Sequence, residues 1–328
     1  MVLSPQLEDK ILVTTNSERV TDSKLIQGVW GGYGQLIRVF LSAGDVNSVV
    51  VKMVNKPKPS THPKGWNSDI SHQRKLFSYE VESYWYSHYA DLHQSTSCYL
   101  PRCLFTDITE TQHCFVLEDL SQSGFPIVKE SCSITEAKTC LSWLAEFHAL
   151  HLQREPLGLW PTGSYWHLET RPDELEKLID SPLKIAAPKI DKILRECPFQ
   201  TLIHGDAKLA NFCFSESGDH VAGLDFQYVG QGCAMKDVIL FISSAVKPEH
   251  CQQDAPLLVD HYFKQLKIAL KNSEFDFQEI ESHWRPYYSI AWADFHRFVK
   301  GWSPDHWKIN SYTENLTQLA LGKLDDFI

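Results

Sequence analysis

An apolar run that polar residues interrupt, LIHGDAKLANFCF at residues 202–214, is the feature that most constrains this chain. The interrupting residues are His204, Asp206, Lys208 and Asn211. A second apolar run, AGLDFQ at residues 222–227, is broken by Asp225. Asp and Asn often serve only as turn residues. Because polar groups within apolar segments are costly unless they are partnered, the set as a whole indicates a functional loop.

The spacing of these polar residues predicts a small site for a cation. The sequence ESGDH at residues 216–220 predicts a tight turn between two short strands. Antiparallel pairing across this turn would bring Asn211 and Asp225 to the same end of the hairpin. An amide oxygen and a carboxylate suit Mg²⁺, which prefers oxygen ligands. Asp206 could then orient and deprotonate an alcohol, a division of labour that phosphoryl transfer needs.

The N-terminal part of the chain predicts a β-rich lobe. Residues 18–54 contain three strand-like runs, the last being SVVVKMV, and two later runs, CYLPRCLFTDI and HCFVLEDL, complete a five-stranded sheet. Residues 56–75 are rich in Pro, Gly and Lys and predict a loop. Apolar residues near helical spacing predict one helix over about residues 71–88.

The C-terminal part of the chain predicts a larger, mostly helical lobe. A helix is expected over residues 134–152, with Ser133 or Thr135 as its N-cap. Further helices are expected within residues 171–196 and 252–328. We therefore expect an α+β fold with two lobes. Residues 1–117 would form a nucleotide-binding N-lobe, and residues 118–328 would carry the hinge, the catalytic loop and the acceptor pocket.

Two features of the predicted N-lobe suit a nucleotide. Lys52 lies in an apolar strand, where a lysine is costly unless it is paired. The predicted helix offers Glu80 or Glu82 as the partner, and these face different ways because they are two residues apart. The turn GVWGGYG, residues 28–34, lies between two strands, which excludes the Rossmann and Walker placements. Its backbone N–H groups could cover a triphosphate.

Composition limits the classes of function and the cellular compartment. The 328-residue chain has a net charge of −10, which argues against a nucleic-acid binder. Its nine cysteines form no CxxC pair and predict reduced thiols. No signal peptide is visible, and no apolar stretch reaches the roughly 20 residues of a membrane helix. We expect a cytoplasmic protein without membrane insertion.

The motif HGDAKLAN resembles the His-x-Asp-x-x-x-x-Asn loop of the protein-kinase-like phosphotransferases, and LDFQ resembles their Asp-Phe-Gly position. HGD, DFQ and VLEDL are typical of the small-molecule branch, which includes aminoglycoside phosphotransferases, choline kinases and especially the ecdysteroid-kinase-like group. The resemblance implies an enzyme that uses ATP and Mg²⁺ to phosphorylate a hydroxyl group of a small molecule.

The resemblance also implies roles for individual residues. Asp206 falls on the catalytic base, and Asn211 and Asp225 fall on the metal ligands. Lys52 falls on the lysine that holds the α and β phosphates, with Glu82 as its partner. The residues expected to contact other parts of the nucleotide are Gly31, Gly32, Gly34, Leu117, Glu118 and Asp119. His204 and Asp237 are expected to have structural roles, Asp237 as a helix N-cap or as a brace for the loop.

The acceptor is less constrained by the sequence. The short segment between Asp225 and Asp237 has no room for the activation loop of a protein kinase, which favours a small-molecule acceptor. Lys208 departs from the ecdysteroid-kinase-like pattern, in which an aromatic residue is common here. It could contact the phosphate or the acceptor, or it could be an exposed loop residue. Aromatic residues within 283–302 could line a pocket for a sterol or a quaternary ammonium, or they could be core.

Three alternatives to a small-molecule kinase remain open from the sequence. The chain could be a catalytically silent nucleotide-binding or scaffold protein of the same fold. It could also be a protein kinase, since Lys208 follows Asp206 by two residues as in those enzymes. A third alternative is an enzyme that transfers AMP to protein.

Overall fold

The structure is a computed structural model, and it describes residues 3–29, 34–55, 69–93 and 97–327. The predicted phosphate-covering residues Gly31 and Gly32 lie outside the described residues. The third glycine of that prediction, Gly34, is the first residue of a strand and lies opposite Val54.

The chain divides into two compact units, which we call the first and second units. The first unit comprises Met1–Ile127 and Cys213–Leu224, and the second comprises Val128–Phe212 and Asp225–Ile328. The sequence analysis places the boundary between lobes after residue 117, whereas the first unit runs to Ile127 and includes a later segment.

Helices make up most of the second unit and few elements of the first. In the described part of the chain the α-helices are α1 (Pro5–Thr14), α2 (Asp69–His88), α3 (Ile134–Leu150), α4 (Pro172–Lys177), α5 (Ser181–Arg195), α6 (Met235–Ala245), α7 (Pro248–Ala269), α8 (Phe277–Trp284), α9 (Tyr287–Trp302) and α10 (Ser311–Leu321). Short 3₁₀ helices are formed by Ala90–His93, Leu168–Thr170, Leu209–Asn211 and Leu324–Phe327.

The longer strands belong to the first unit. In chain order the strands of the described residues are β1 (Arg19–Val29), β2 (Gly34–Ser42), β3 (Ser48–Asn55), β4 (Cys103–Ile108), β5 (Gln112–Glu118), β6 (Ile127–Val128), β7 (Thr201–Ile203), β8 (Phe212–Phe214), β9 (Val221–Gly223) and β10 (Gly230–Gly232).

The first unit is built on a five-stranded antiparallel sheet with the strand order β1-β2-β3-β5-β4. The β-branched run of β3 lies between β2 and β5, and Val49 and Val51 are fully buried. Such side chains pack well on a pleated surface that is covered by neighbours. The register places Lys52 opposite Leu36 of β2 and Phe115 of β5. The predicted sheet is confirmed.

A helix that the sequence analysis does not predict, α1, covers part of this sheet. The Oγ of Ser4 accepts a hydrogen bond from the N–H of Leu7 at 3.2 Å, and Pro5 is the first helical residue. Both are common ways to begin a helix. Leu7 and Ile11 are buried in a cluster with residues of β2 and β3. Because only these two side chains of α1 are buried, its apolar periodicity is weak, and the Ser-Pro pair is the stronger signal.

The predicted helix over about residues 71–88 is confirmed as α2. Its buried side chains include Tyr79, Val81 and Trp85, and the Trp85 ring stacks on the Tyr89 ring with 5.4 Å between their centroids. These contacts fix the rotation of α2 about its axis. That rotation decides which glutamate of the helix faces the interior of the first unit.

The predicted hairpin after the polar loop is also confirmed, as strands β8 and β9. The N–H of Ser215 donates to the carbonyl of His220 at 3.0 Å across the turn. The N–H of Gly223 donates to the carbonyl of Tyr99 at 2.9 Å, and Cys213 and Ala222 pack against Leu120. These contacts explain why the hairpin groups with the first unit although it follows the polar loop in the chain.

In the second unit, α3 begins at the predicted Ser133. The Oγ of Ser133 accepts a hydrogen bond from the N–H of Glu136 at 3.3 Å, and the Glu136 carboxylate accepts from the N–H of Ser133 at 2.8 Å. This reciprocal arrangement is a capping box.

The region predicted as helical over residues 171–196 is divided into α4 and α5. Asp180 caps α5 by accepting a hydrogen bond from the N–H of Leu183 at 3.2 Å.

Helix α9 runs through the interior of the second unit and packs against α4, α5, α6 and α10. Its Trp292 and Phe295 are buried, and Trp284 of α8 is fully buried. Trp302, at the end of α9, is 38% exposed. Most of the aromatic residues that could have lined an acceptor pocket are therefore core residues. Helical spacing by itself does not distinguish a core stripe from a pocket wall.

Two further features concern the whole described chain. None of its helices combines the length and the apolar character needed to cross a membrane. The nine cysteines are all free thiols.

The capping box predicts a specific loss of stability. Ser133→Ala removes the side-chain acceptor for the N–H of Glu136, and we expect it to lower the free energy of unfolding by about 1 kcal/mol. The matched control is Thr135→Ala, which changes a neighbouring helical residue without touching the cap and should leave stability within about 0.5 kcal/mol of wild type. Urea denaturation followed by circular dichroism measures both. Equal effects of the two substitutions would show that the cap contributes nothing.

Candidate functional site

The lysine of β3 and a glutamate of α2 form a buried ion pair in the first unit. The Nζ of Lys52 lies 2.7 Å from Oε1 and 2.8 Å from Oε2 of Glu82. Lys52 is 8% exposed and Glu82 is 1% exposed. Glu80, the other predicted partner, is exposed on the opposite side of the helix turn. Helical spacing left both glutamates open and the family resemblance implied Glu82, which is the residue that contacts Lys52 here.

The carboxylate of Glu118, at the end of β5, is held by neighbouring groups of the first unit. It accepts hydrogen bonds from the Tyr99 hydroxyl at 2.7 Å, from the N–H of Arg102 at 3.1 Å and from the Ser123 hydroxyl. Burial and the bond to Glu118 raise the pKa of Tyr99 to about 12. Leu117 pairs with Val50 and Cys103 within the sheet.

The next carboxylate, that of Asp119, is more fully engaged. It accepts hydrogen bonds from Arg38 Nε at 2.7 Å, from Ser48 Oγ at 2.6 Å and from Ser121 Oγ at 2.8 Å. Burial raises its pKa, but these bonds outweigh burial and hold the pKa below the usual value. Asp119 thus ties β2, β3 and the chain after β5 together. Because its carboxylate is already bonded to Arg38, Ser48 and Ser121, Asp119 would have to contact a nucleotide through its main chain.

In the second unit the polar loop begins after β7, which pairs with β10. Gly205 adopts a φ of +77°, and a Cβ atom there would lie 2.1 Å from the carbonyl oxygen of Tyr228 and 2.8 Å from the nitrogen of Ser164. Both the left-handed backbone and the close approach of another segment require glycine at this position. The glycine of HGD therefore makes the turn that presents Asp206.

A buried carboxylate on α6 holds the start of this loop. Asp237 accepts hydrogen bonds from the N–H of His204 at 2.5 Å and from the N–H of Gly205 at 2.9 Å. It is also bonded to Nε2 of His148 at 3.1 Å, and the other ring nitrogen of His148 is 2.9 Å from the hydroxyl of Tyr262. Asp237 lies within the first turn of α6, and the N-cap is Ala234. The prediction of an N-cap is wrong, and the predicted brace is what the hydrogen bonds form.

The two carboxylate oxygens of Asp206 have different surroundings. Its Oδ2 accepts hydrogen bonds from Lys208 Nζ at 2.8 Å and from Asn211 Nδ2 at 3.1 Å. Its Oδ1 is buried and has no hydrogen-bond partner among the described residues. An unpaired buried acceptor is costly, and such atoms are often explained by a function. The arrangement leaves one oxygen of a fixed carboxylate for a hydrogen-bond donor from outside the chain.

Asn211 is oriented by the same contacts. Its Nδ2 donates to the carbonyl oxygen of Asp206 at 2.8 Å as well as to the carboxylate. Because the amide nitrogen is turned toward Asp206, the amide oxygen is the atom that could bind a cation. Asn211 directly precedes β8, in line with the hairpin argument from the sequence.

Asp225 follows β9 and has an unusual backbone. Its φ is +67°, in the left-handed region that is uncommon for residues other than Gly, although Asn and Asp adopt it more often than most. Such conformations cluster at functional sites.

The charge of Asp225 also acts on the pKa of Lys208. Burial lowers the pKa of Lys208, but the charges of Asp206 and Asp225 and the hydrogen bond to Asp206 raise it overall. The Lys208 side chain is 42% exposed, but it is paired with Asp206 and so is not an isolated cation.

One lysine near the loop had no signal in the sequence. Lys308 follows α9, far from the loop in the chain, yet the charges of Asp206 and Lys208 both act on its pKa. No motif surrounds it, and the sequence analysis does not single it out. Only the packing of the C-terminal helices brings it to the loop.

The chain is similar in sequence to one protein family. A model of the ecdysteroid kinase-like family matches residues 35–157 and 164–275. These two ranges include every predicted site residue except the glycines before residue 35. Among curated proteins, none matches the chain.

Several solved structures resemble this one. Choline kinase LicA from Streptococcus pneumoniae is 16% identical, with a TM-score of 0.51 over 98% of both chains. Amicoumacin kinase hAmiN, solved with AMP-PNP, Ca²⁺ and Ami, is 10% identical, with a TM-score of 0.48 over 99% of this chain and 94% of that one. Plasmodium vivax ethanolamine kinase is 12% identical, with a TM-score of 0.48 over 94% of this chain and 84% of that one. The predicted α+β, protein-kinase-like fold is confirmed.

The buried ion pair of the first unit gives a test with a matched control. Glu82→Gln removes the carboxylate that faces Lys52 and should lower the free energy of unfolding by about 2 kcal/mol, because the buried cation loses the opposite charge at hydrogen-bond distance. Glu80→Gln makes the same chemical change on the exposed side of α2 and should leave stability within about 0.5 kcal/mol. Denaturant titration measures both. Similar losses in the two variants would contradict the pairing.

The turn at Gly205 gives a second test. Gly205→Ala and Gly124→Ala both place a side chain on a residue with positive φ, but only Gly205 has backbone atoms in the space that the new Cβ would occupy. We expect Gly205→Ala to destabilise the protein by about 2 kcal/mol more than Gly124→Ala, since strain and overlap add. Thermal unfolding of the two variants measures the difference. A smaller loss at Gly205 than at Gly124 would contradict the close approach.

Proposed function

Because the chain belongs to the ecdysteroid kinase-like family, we propose that it transfers the γ-phosphoryl group of ATP to a hydroxyl group of a small molecule. In this proposal Asp206 is the base, and Asn211 and Asp225 hold Mg²⁺. Lys52 holds the α and β phosphates, and Glu82 positions Lys52. Main-chain groups of Leu117, Glu118 and Asp119 would contact the adenine.

The observation that carries this proposal is the state of the Asp206 carboxylate. One oxygen is fixed by Lys208 and Asn211, and the other is buried and has no partner among the described residues. A base must lie within hydrogen-bond reach of the proton that it removes. A carboxylate with one oxygen held and the other lacking a partner among the described residues has one acceptor left for the proton of a hydroxyl group. The contacts of Asp237 keep the loop in this position.

The residues proposed as metal ligands suit Mg²⁺ chemically. Asn211 would offer an amide oxygen and Asp225 a carboxylate, and both are the hard oxygen donors that Mg²⁺ prefers. Few protein ligands are needed, because Mg²⁺ in such sites keeps water molecules and binds substrate phosphates. When bound, the ion would neutralise charge on the phosphates during transfer.

The chain's own residues then account for the transfer. The acceptor hydroxyl donates a hydrogen bond to Oδ1 of Asp206 and transfers its proton there as its oxygen attacks the γ-phosphorus. The bond from that phosphorus to the bridging oxygen breaks, and ADP leaves with the electron pair. Lys208 keeps its bond to Oδ2 and so prevents rotation of the carboxylate. Positioning of this kind is the main contribution of the protein to phosphoryl transfer.

The segment after Asp225 favours a small acceptor over a protein. Strand β10 begins at Gly230 and α6 begins at Met235, so regular structure follows Asp225 closely. A peptide substrate needs a docking segment, and none fits in this interval. The silent-scaffold alternative is less favoured because Lys52, Glu82 and the polar loop retain the contacts expected of a working site.

The proposal is tested by removing the base without changing its size. Asp206→Asn should bind ATP with Mg²⁺ as wild type does, and its rate of ADP formation with an alcohol acceptor should fall at least about 100-fold. Isothermal titration calorimetry measures ATP binding. A coupled ADP assay over a library of alcohols measures turnover, and ³¹P NMR of active mixtures identifies the phosphate ester. The matched control is Asp219→Asn, on the turn of the β8–β9 hairpin with a side chain that is 63% exposed, which should turn over normally.

Two results would contradict the proposal. If Asp206→Asn turns over ATP with an acceptor as wild type does, Asp206 is not the base. If wild type binds ATP but forms neither ADP nor a phosphate ester with any acceptor, the silent alternative is favoured. Covalent addition of AMP to protein, detected by mass spectrometry, would indicate the third alternative.

A further inference from the structure

Lys308, on the segment between α9 and α10, is a half-buried lysine without a carboxylate partner. Its Nζ donates to Oγ of Ser243 at 2.9 Å, and in the described part of the chain it takes part in no ion pair. Other lysines of the interior face a carboxylate: Lys52 faces Glu82, and Lys300 faces Asp180. Lysines are seldom buried unless they are paired, so Lys308 needs another explanation.

The backbone of Lys308 is fixed by the start of α10. Its carbonyl accepts hydrogen bonds from Thr313 Oγ1 at 3.0 Å and from Asn310 Nδ2 at 3.3 Å. Its N–H donates to Nδ1 of His306 at 3.2 Å. The backbone that carries this side chain is therefore held in place, and the hydrogen bond to Ser243 orients the ammonium group. Preorganisation of this kind is typical of binding residues.

Neighbouring residues of α6 connect Lys308 to the catalytic loop. Ser243 accepts the hydrogen bond from Lys308, and the next residue, Ser244, accepts one from the N–H of Leu209 in the loop. The Nζ of Lys308 also lies 5.2 Å from the centroid of Phe295 and 5.6 Å from that of Trp307. The ammonium group thus has two aromatic rings and one neutral hydroxyl as neighbours, and the charges of Asp206 and Lys208 act on it.

The electrostatic surroundings agree with this geometry. Burial lowers the pKa of Lys308 to about 8, the charge of Asp206 raises it, and the charge of Lys208 lowers it further. At neutral pH the lysine is still protonated, with a single neutral partner for its three N–H donors. Such a group stabilises an anion nearby and repels a cation.

We propose that Lys308 is a specificity-determining residue of the acceptor site: it binds an anionic oxygen of the acceptor alcohol and excludes acceptors that carry a cation. The inference rests on the proposed function, since it takes Asp206 as the residue that receives the acceptor hydroxyl. The acceptor would be an alcohol with a carboxylate, sulfate or phosphate group and an apolar body that contacts Trp307, which is 53% exposed. An anionic oxygen could also come from the transferred phosphoryl group, and the experiment separates these two sources.

The test uses three benzyl alcohols that differ only in the para group. The probes are 4-(hydroxymethyl)benzoate, 4-(hydroxymethyl)benzamide and the para trimethylammoniomethyl compound. Their dissociation constants for the full-length protein without nucleotide are measured by ligand-observed NMR at pH 7. We expect the anion to bind at least tenfold more tightly than the cation and more tightly than the amide. Because no nucleotide is present, this order cannot come from the transferred phosphoryl group.

Variants of Lys308 decide whether this residue sets the order. Lys308→Met should reduce the ratio between anion and cation to within about twofold, and Lys308→Arg should retain it. The control is Lys323→Met, which removes an exposed lysine after α10 and should behave as wild type. Equal binding of the three probes, no binding of the anion, or an unchanged order in Lys308→Met would each overturn the proposal.

The pH dependence provides a readout that a purely structural role would not change. The preference for the anion over the amide should be full at pH 7 and should fall as the pH rises through about 8, because Lys308 then loses its proton. In Lys308→Arg it should persist to pH 9, since arginine stays charged. The other charged or titratable groups that face Lys308 are Asp206, Lys208 and His306, and burial lowers the pKa of His306. A preference that is independent of pH in wild type would contradict the assignment.

The binding measurements and the turnover assay test the two proposals separately, so one proposal can fail while the other stands. If wild type shows the Lys308-dependent order but no ADP is formed with any alcohol, the proposed function fails and an anion site remains. If ATP is turned over and Asp206→Asn abolishes turnover while the probes bind equally, the proposed function stands and the role of Lys308 is refuted.

Discussion

The contacts of the Asp237 carboxylate are the interaction on which the candidate site most depends. This one buried group accepts hydrogen bonds from two successive N–H groups of the loop and is bonded to His148, which in turn reaches Tyr262. Helices α3, α6 and α7 are thereby linked to the residues that precede Asp206. A buried carboxylate that satisfies main-chain donors fixes a backbone more firmly than packing alone. The loop can therefore hold Asp206 with one oxygen lacking a partner.

Charged side chains inside the two units are paired with an opposite charge, and Lys308 is an exception among the described residues. Lys52 with Glu82, and Arg38 with Asp119, are paired at hydrogen-bond distance. Burial of an unpaired charge is strongly unfavourable, so these pairs are expected. Among the described residues Lys308 has no such partner, and the charge of Asp206 acts on it. We explain this charge by a ligand that supplies the partner.

Much of the fold and part of the site could be predicted from local sequence. The β-branched run around Lys52, the turn before β9 and the cap of α3 each depend on neighbours in the chain. The first two are predicted correctly, and the observed cap, Ser133, is one of the two predicted candidates. Helix α1 was missed because few of its residues are buried, and the aromatic residues of α9 were ambiguous because core and pocket share one spacing. The role of Asp237 was divided between two possibilities, since a residue at the start of a helix can cap it or bond to another segment.

The sequence by itself determined the chemistry that this chain can offer: an aspartate and an asparagine in one loop, a second aspartate after a hairpin, and a lysine within an apolar strand. Those features are set by residue type and local spacing. Tertiary structure decided between Glu82 and Glu80, which local spacing left open, and tertiary structure alone decided that Asp119 is held by Arg38 and that the charge of Asp206 acts on Lys308. Each of these depends on how a helix is rotated or on which distant segments meet, and burial of the whole core, rather than local spacing, fixes both.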